Sequence, residues 1–271
     1  MSMYDTTSNM SKEHMEFLKK VKRKEIAIRT TQVIILIAFF ALWEIAGRLK
    51  LIDPFLFSQP SRMLKTIINL SKDGSLFTHI WVTLSETLIG FALGTIIGIA
   101  IAIMLWWSSF ASKVAEPYLI VLNSLPKIAL GPIFIVWMGN GEAPIITMGL
   151  AISLIVTIIS LETGFMQVDE DKIKLLKTFG ATKYQILTKC ILPASIPTIM
   201  SAIKINMGLS WVGVITGEFL VSKAGLGYLI VYGGQIFKLD IVMSSVLILS
   251  VLAALMYVLL VYIEKKIIKW Q

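Results

Sequence analysis

Charge is scarce in this 271-residue chain: 15% of its residues are Asp, Glu, Lys or Arg, against about 25% in ordinary soluble domains. So few charges cannot cover a globule with polar surface, which excludes a soluble enzyme and equally a disordered tail. Cysteine is almost absent. The single Cys190 has no partner for a disulfide within the chain, so nothing here needs an oxidising compartment. No Gly-x4-Gly-Lys-Ser/Thr run occurs, hence no P-loop to cradle nucleotide phosphates. His14 and His79 lie far apart without a neighbouring cysteine, so a metal site is not indicated. No Ser/His/Asp or Cys/His grouping at the spacing of a known motif supports catalysis. What abounds is hydrophobic residues, 56% of the chain, and that excess points to the lipid bilayer.

A span needs about 20 mostly apolar residues to cross roughly 30 Å of hydrocarbon. Three uncharged runs qualify, Thr87–Ser112, Ala143–Leu161 and Ile241–Ile263. Three more carry one charge each: Thr30–Gly47 with Glu44, Pro117–Gly141 with Lys127, and Ala194–Gly217 with Lys204. The expectation is an all-α polytopic membrane protein with six transmembrane helices, at about 30–47, 87–112, 117–141, 143–161, 194–217 and 241–263. The net charge of +8 would suit nucleic acid if it were gathered on one soluble face. Instead the basic residues sit between the apolar runs and act as an orientation signal. With both termini cytoplasmic, 16 of the 25 Lys and Arg fall inside and 7 outside, as basic residues are retained on the cytoplasmic side. A five-span chain would put either the Lys172–Lys189 loop or the basic C-terminus on the wrong side. Residues 1–29 form a basic cytoplasmic lead and 30–271 the transmembrane domain. The lead lacks a small-x-small cleavage site after Phe40, so the first span is expected to be uncleaved. In the long outer connection, Met63, Leu64, Ile67 and Ile68 recur at helical spacing opposite Arg62 and Lys65, which predicts a short amphipathic helix at the interface.

The polar inside loop at 164–193 is marked for helix starts and stops. Asp169 is placed to cap a helix whose first turn carries Glu170 and Asp171, favourable at the positive end of the helix dipole. Ile173, Leu176 and Phe179 share a face, and Gly180 supplies a left-handed stop. Thr182 with Gln185 reads as a capping box opening a second helix, which Pro193 ends after Ile186, Leu187, Cys190 and Ile191. Two short helices joined at a glycine make a knob with an apolar edge that the membrane cannot cover. Such an edge suits a protein partner, or the hairpin lies on the headgroups.

Here the residues match a family. Lys174-Leu175-Leu176-Lys177-Thr178-Phe179-Gly180, nine residues, then Cys190-Ile191-Leu192-Pro193 resembles the cytoplasmic signature loop of ABC importer permeases, Glu-Ala-Ala, three residues, Gly, nine residues, Ile-x-Leu-Pro. The glycine, leucine and proline fit; Lys174-Leu175-Leu176 and Cys190 depart from the pattern. Asn123-Ser124-Leu125-Pro126-Lys127 through Pro132, Trp137-Met138-Gly139-Asn140-Gly141-Glu142, Trp211, Glu218 and Gly225-Leu226-Gly227-Tyr228 are similar to the nitrate/sulfonate/taurine branch. The resemblance runs from about Phe39 to the C-terminus. It implies a type I ABC importer permease fold in a bacterial cell membrane, working as a homodimer with two ATP-binding-cassette subunits and an extracytoplasmic substrate-binding protein, in contact with lipid and not with nucleic acid. It implies no cofactor in this chain, ATP and magnesium being bound by the partner ATPase. The ATPase contact would then be made by the knob through Asp169, Lys174, Lys177, Thr178, Gly180, Ala181 and Thr182.

Lys127 and Lys204 would each cost about 2.5–3.5 kcal/mol at a helix centre, so they are not expected to face lipid. Either they line a polar path suited to a small anionic solute, together with Asn123, Ser124 and Trp211, or, for Lys204, the stem snorkels to a headgroup or a neighbouring carbonyl. Gly90, Gly94 and Gly98 stand four apart on one face, where another helix can approach closely. Glu44 falls near the outer end of the first span as an interfacial carboxylate, and Glu86 and Glu218 fall near outer span ends as gate or docking residues or exposed acids. The alternative function is a self-contained secondary carrier or channel with an intramembrane lysine site.

Overall fold

A computed structural model describes residues 12–268, with side chains from residue 16. Residues 1–11 of the basic lead, the side chain of His14 and Lys269 lie outside them. The chain divides into two compact units, Met1–Leu64 and Lys65–Gln271.

In the first unit, α1 (Lys12–Arg48) runs from the basic lead straight into the first apolar run and exposes nearly all its apolar side chains. Near its end the Glu44 carboxylate accepts from Arg48 Nε at 2.8 Å and from the backbone N–H of Ser61 at 3.0 Å. Asp53 caps the single turn α2 (Pro54–Phe57), accepting from Phe55 N at 2.8 Å. The predicted amphipathic helix is α3 (Pro60–Lys72); of its apolar side chains Met63 is buried while Leu64 and Ile68 stay exposed.

The second unit takes in the end of α3 from Lys65 and continues with α4 (Ser75–Trp107), then α5 (Ser109–Ser124), a 3-10 turn (Lys127–Leu130), α6 (Gly131–Met138) and α7 (Glu142–Met166). The knob follows as α8 (Glu170–Thr178), α9 (Lys183–Ile186), a π-helical segment (Leu187–Ile191) and the turn α10 (Leu192–Ala194). The chain then enters α11 (Ile196–Val221), α12 (Leu226–Gln235) and α13 (Leu239–Ile267). Among the described residues every regular element is helical, as a backbone without water must be to satisfy its own polar groups.

Among the described residues five helices are long and apolar enough to cross a membrane: Glu16–Arg48 of α1, α4, α7, α11 and α13. The sixth expected span, 117–141, is not continuous. Helix α5 and the 127–138 segment are bent by 86° at the break, because Leu125 precedes Pro126 and takes an extended conformation (φ −65°, ψ 136°) that a helix cannot continue. The expected 87–112 run also differs. Its helix starts twelve residues earlier, at Ser75, and ends at Trp107, where Ser108 turns extended and caps α5 by accepting from Ala111 N at 3.2 Å.

The three most tightly packed helices are α4, α7 and α11. The Gly90, Gly94 and Gly98 stripe of α4 lies against α7, where an added methyl would meet Ile146 O, Ser153 Oγ and Thr157 Cγ2 respectively. On the next face a methyl on Gly213 of α11 would sit 2.5 Å from Gly149 Cα of α7, so the two backbones pack at a separation only glycine permits. Within this core Asn206 Nδ2 donates to Thr95 Oγ1 at 2.6 Å, linking α11 to α4. Helix α13 by contrast exposes Val251, Leu255, Val258 and Leu259 along its length, a surface matched to lipid tails.

Candidate functional site

The knob is built from its caps outward. Asp169 Oδ1 accepts from Asp171 N at 2.9 Å and opens α8. At the far end the Ala181 N–H donates to Leu176 O (3.0 Å) and the Gly180 N–H to Lys177 O (2.9 Å), a Schellman stop with Gly180 at φ +75°. The Thr182–Gln185 capping box follows at once, with Gln185 N donating to Thr182 Oγ1 (3.3 Å) and Thr182 N to Gln185 Oε1 (2.8 Å). Lys174 pairs with Glu170 (3.6 Å) and Asp171 (3.3 Å), all largely exposed, so these pairs contribute little to stability.

Apolar contacts seat the knob on the bundle. Ile186, Leu187 and Ile191 are buried in one cluster with Ala102 of α4, Leu161 and Phe165 of α7 and Ala202 of α11, and Ile173, Leu176, Ala181 and Leu192 pack around it. Phe179 is not on that face: it is 78% exposed, and Leu175 and Tyr184 are exposed with it. The reason is the stop at Gly180, because Phe179 is the last residue before the chain reverses and leaves the α8 register. Pro193 does not end the helical course either. It is the second residue of the turn α10, and α11 resumes three residues beyond it at Ile196, as a proline in the first turn allows.

The broken span gathers three of the sequence-predicted path residues. Lys127 Nζ donates to Asn123 O at 3.1 Å, and Ser124 Oγ donates to Ile120 O at 2.9 Å. Pro126 frees backbone carbonyls of the preceding turn, and the lysine takes up one of them. Lys204 is held differently. Its Nζ lies 2.9 and 3.0 Å from the two carboxylate oxygens of Glu264 on α13, so its charge is met by a carboxylate of a neighbouring helix while both side chains stay partly exposed. Sequence reasoning missed Glu264 because it lies 60 residues away, just past the apolar run. Trp211, two turns after Lys204 on α11, is buried, with its indole N–H facing no acceptor among the described residues. It lines a groove of about 370 Å³ with Thr216, Leu249 and Ser250 between α11 and α13.

At the end opposite the knob, Glu86 and Glu218 are each 1% exposed, which corrects the reading of exposed acids. Glu218 caps α12: its Oε2 accepts from the N–H groups of Gly227 and Tyr228. The two preceding N–H groups are taken as well, Gly225 by His79 Nδ1 at 2.9 Å and Leu226 by Thr83 Oγ1 at 2.7 Å. Four successive donors at one helix start are thus satisfied by side chains of α4 and α11. No local motif in the sequence announces this, since the partners come from up to 146 residues away. Glu86, Asn140, Glu142 and Lys223 line an adjoining cavity of about 240 Å³.

Comparison with known proteins matches residues 94–269 to the family described as binding-protein-dependent transport system inner membrane component. A transport permease protein of Bacillus subtilis (strain 168) named for aliphatic sulfonates is 27% identical over 231 residues, 85% of this chain and 84% of that protein. The formylaminopyrimidine transport permease protein ThiX of Halalkalibacterium halodurans is 26% identical over 93% of this chain and 99% of its own. Among solved structures, a bacterial ABC transporter involved in the import of the acidic polysaccharide alginate superposes with a TM-score of 0.64, covering 93% of this chain and 99% of that one at 15% identity, a likeness of fold.

Proposed function

The chain belongs to the family of binding-protein-dependent transport system inner membrane components, a family of transport permeases rather than ATPases, and from that membership we propose that it forms half of the channel of an ATP-driven importer. Two copies pair in the membrane with both termini cytoplasmic. Two separate ATPase subunits, which bind ATP and magnesium, drive the pair, and an extracytoplasmic binding protein delivers a small anionic solute to it.

The observation that carries the reading is the knob. It is anchored by Ile186, Leu187 and Ile191 to α4, α7 and α11 at once, while Leu175, Phe179 and Tyr184 project outward uncovered. An apolar edge of this kind calls for a protein surface, and one rooted in three membrane helices passes a push on the knob to all three. Closure of two ATPases on their nucleotides would bring two knobs together and rock the bundles between inward- and outward-facing states. Asp169, Lys174, Lys177, Thr178, Gly180, Ala181 and Thr182 form the contact in this reading. Lys127, held beside Asn123 and Ser124 at the broken span, supports an anionic solute, as does the relative named for sulfonates.

The test is co-expression with candidate ATPase and binding-protein subunits. Co-purification of the ATPase and solute uptake that stops with a non-hydrolysable nucleotide are expected. Uptake by this chain alone, driven by an ion gradient, would establish the self-contained carrier instead.

A further inference from the structure

Trp107 is the last residue of α4, and Ser108 beyond it is extended (φ −128°, ψ 105°). The Trp107 carbonyl is therefore among those that no turn of its own helix can satisfy. Its partner comes from the knob: Lys183 Nζ donates to Trp107 O across 76 residues of sequence. The same ammonium stands 5.9 Å from the Trp106 ring centroid and 5.6 Å from that of Trp107, the two rings being edge-to-face. Three attractions converge on one cation: a charged hydrogen bond, the partial negative charge of a helix C-terminus and two aromatic faces. Lys183 is the first residue of α9, directly after the Thr182 cap, so its backbone is fixed by the capping box.

The geometry points to Lys183 as a positioning residue for coupling, a clip that sets the angle of the knob against the end of α4. The apolar seat of Ile186, Leu187 and Ile191 resists separation but is non-directional; the clip adds direction. With it in place, a displacement of the knob turns α4. Without it, the seat still carries a push to the three helices, but the knob slides and the turn of α4 is lost. This inference rests on the importer reading and assigns a role within it to a residue outside the contact named above.

The experiment uses the complex reconstituted with its ATPase and binding protein, and reads solute imported per ATP hydrolysed. Lys183→Met, which keeps the stem and removes the charge, should lower that ratio about tenfold. Lys183→Arg should retain most of it, and Trp106→Leu, which removes one ring face, should lower it less than Lys183→Met does. A structural role alone would not separate Met from Arg at equal melting temperature. Equal ratios for wild type and Lys183→Met, or equal losses for Met and Arg, overturn the clip. A wild-type complex that binds no ATPase or imports nothing overturns the importer reading instead. Should Lys183→Met not assemble, indole emission of the chain alone decides: a change in Met but not in Arg upholds the clip, and unchanged emission overturns it.

Discussion

The Lys204–Glu264 pair offers the sharpest quantitative test of how this bundle holds charge. Lys204 projects from α11 and Glu264 from the last turns of α13, with both N–O distances at or below 3.0 Å. Side-chain exposure is 23% and 22%, which places the pair between two limits. Exposed pairs contribute about 0–1 kcal/mol, and breaking a fully buried pair costs about 3–5 kcal/mol because the survivor is left uncompensated. Glu264→Leu should therefore destabilise by about 1–3 kcal/mol, and Lys204→Met by a similar amount. The double variant Lys204→Met/Glu264→Leu should recover most of the loss, since apolar replacement of both partners leaves no stranded charge. Thermal unfolding of the purified chain in detergent, run as a double-mutant cycle, measures the coupling directly. Additive losses, with no recovery in the double variant, would show that the two groups are not energetically joined and would refute the reasoning.

Three further outcomes are expected. Gly213→Ala should lower the melting temperature by an amount equivalent to at least about 1–3 kcal/mol, because its methyl meets the Gly149 backbone, whereas Gly208→Ala, with nothing within 4 Å, should be neutral or slightly stabilising; equal effects would contradict the close approach of α7 and α11. Gly180→Val should uncouple ATP hydrolysis from uptake, since a β-branched residue is strained at φ +75° and the Schellman stop would open; a fully coupled variant would count against the knob. Lys127→Ala should weaken uptake of an anionic solute about tenfold, the worth of one charged hydrogen bond of ~1.5 kcal/mol, and unchanged uptake in transport assays would remove Lys127 from the path.

Much of this architecture can be read directly from residue patterns, and the exceptions have physical causes. Apolar runs locate α7, α11 and α13 to within a few residues at most ends, because lipid-facing surface forces near-continuous hydrophobicity. The knob is legible in detail, since Asp169, Gly180 and the Thr182–Gln185 box act on neighbours within a few positions. What local reasoning misplaces is where a polar group is satisfied from afar. Helix α4 begins at Ser75 although His79, Thr83 and Glu86 look like loop chemistry, because the first two bond the start of α12 and the third is buried. Lys204 looks like an unpaired intramembrane charge until α13 brings Glu264 to it. The break at Leu125–Pro126 was written in the proline, but hydropathy averages across it and reports one span.

Between the knob and α11, the segment Leu187–Ile191 is wound as a π-helix, with the Leu192 N–H reaching back to Leu187 O. A turn of that kind takes in one residue more than an α-turn does. The chain thus carries a residue of slack at the joint where the knob meets the membrane. Rewinding the joint to α geometry would rotate α9 by about 100° and advance it about 1.5 Å relative to α11 without breaking a covalent contact or lengthening the chain. That rotation would carry Ile186 off the face it shares with Leu161 and Phe165, so the π winding is what lets the knob's apolar side meet the bundle.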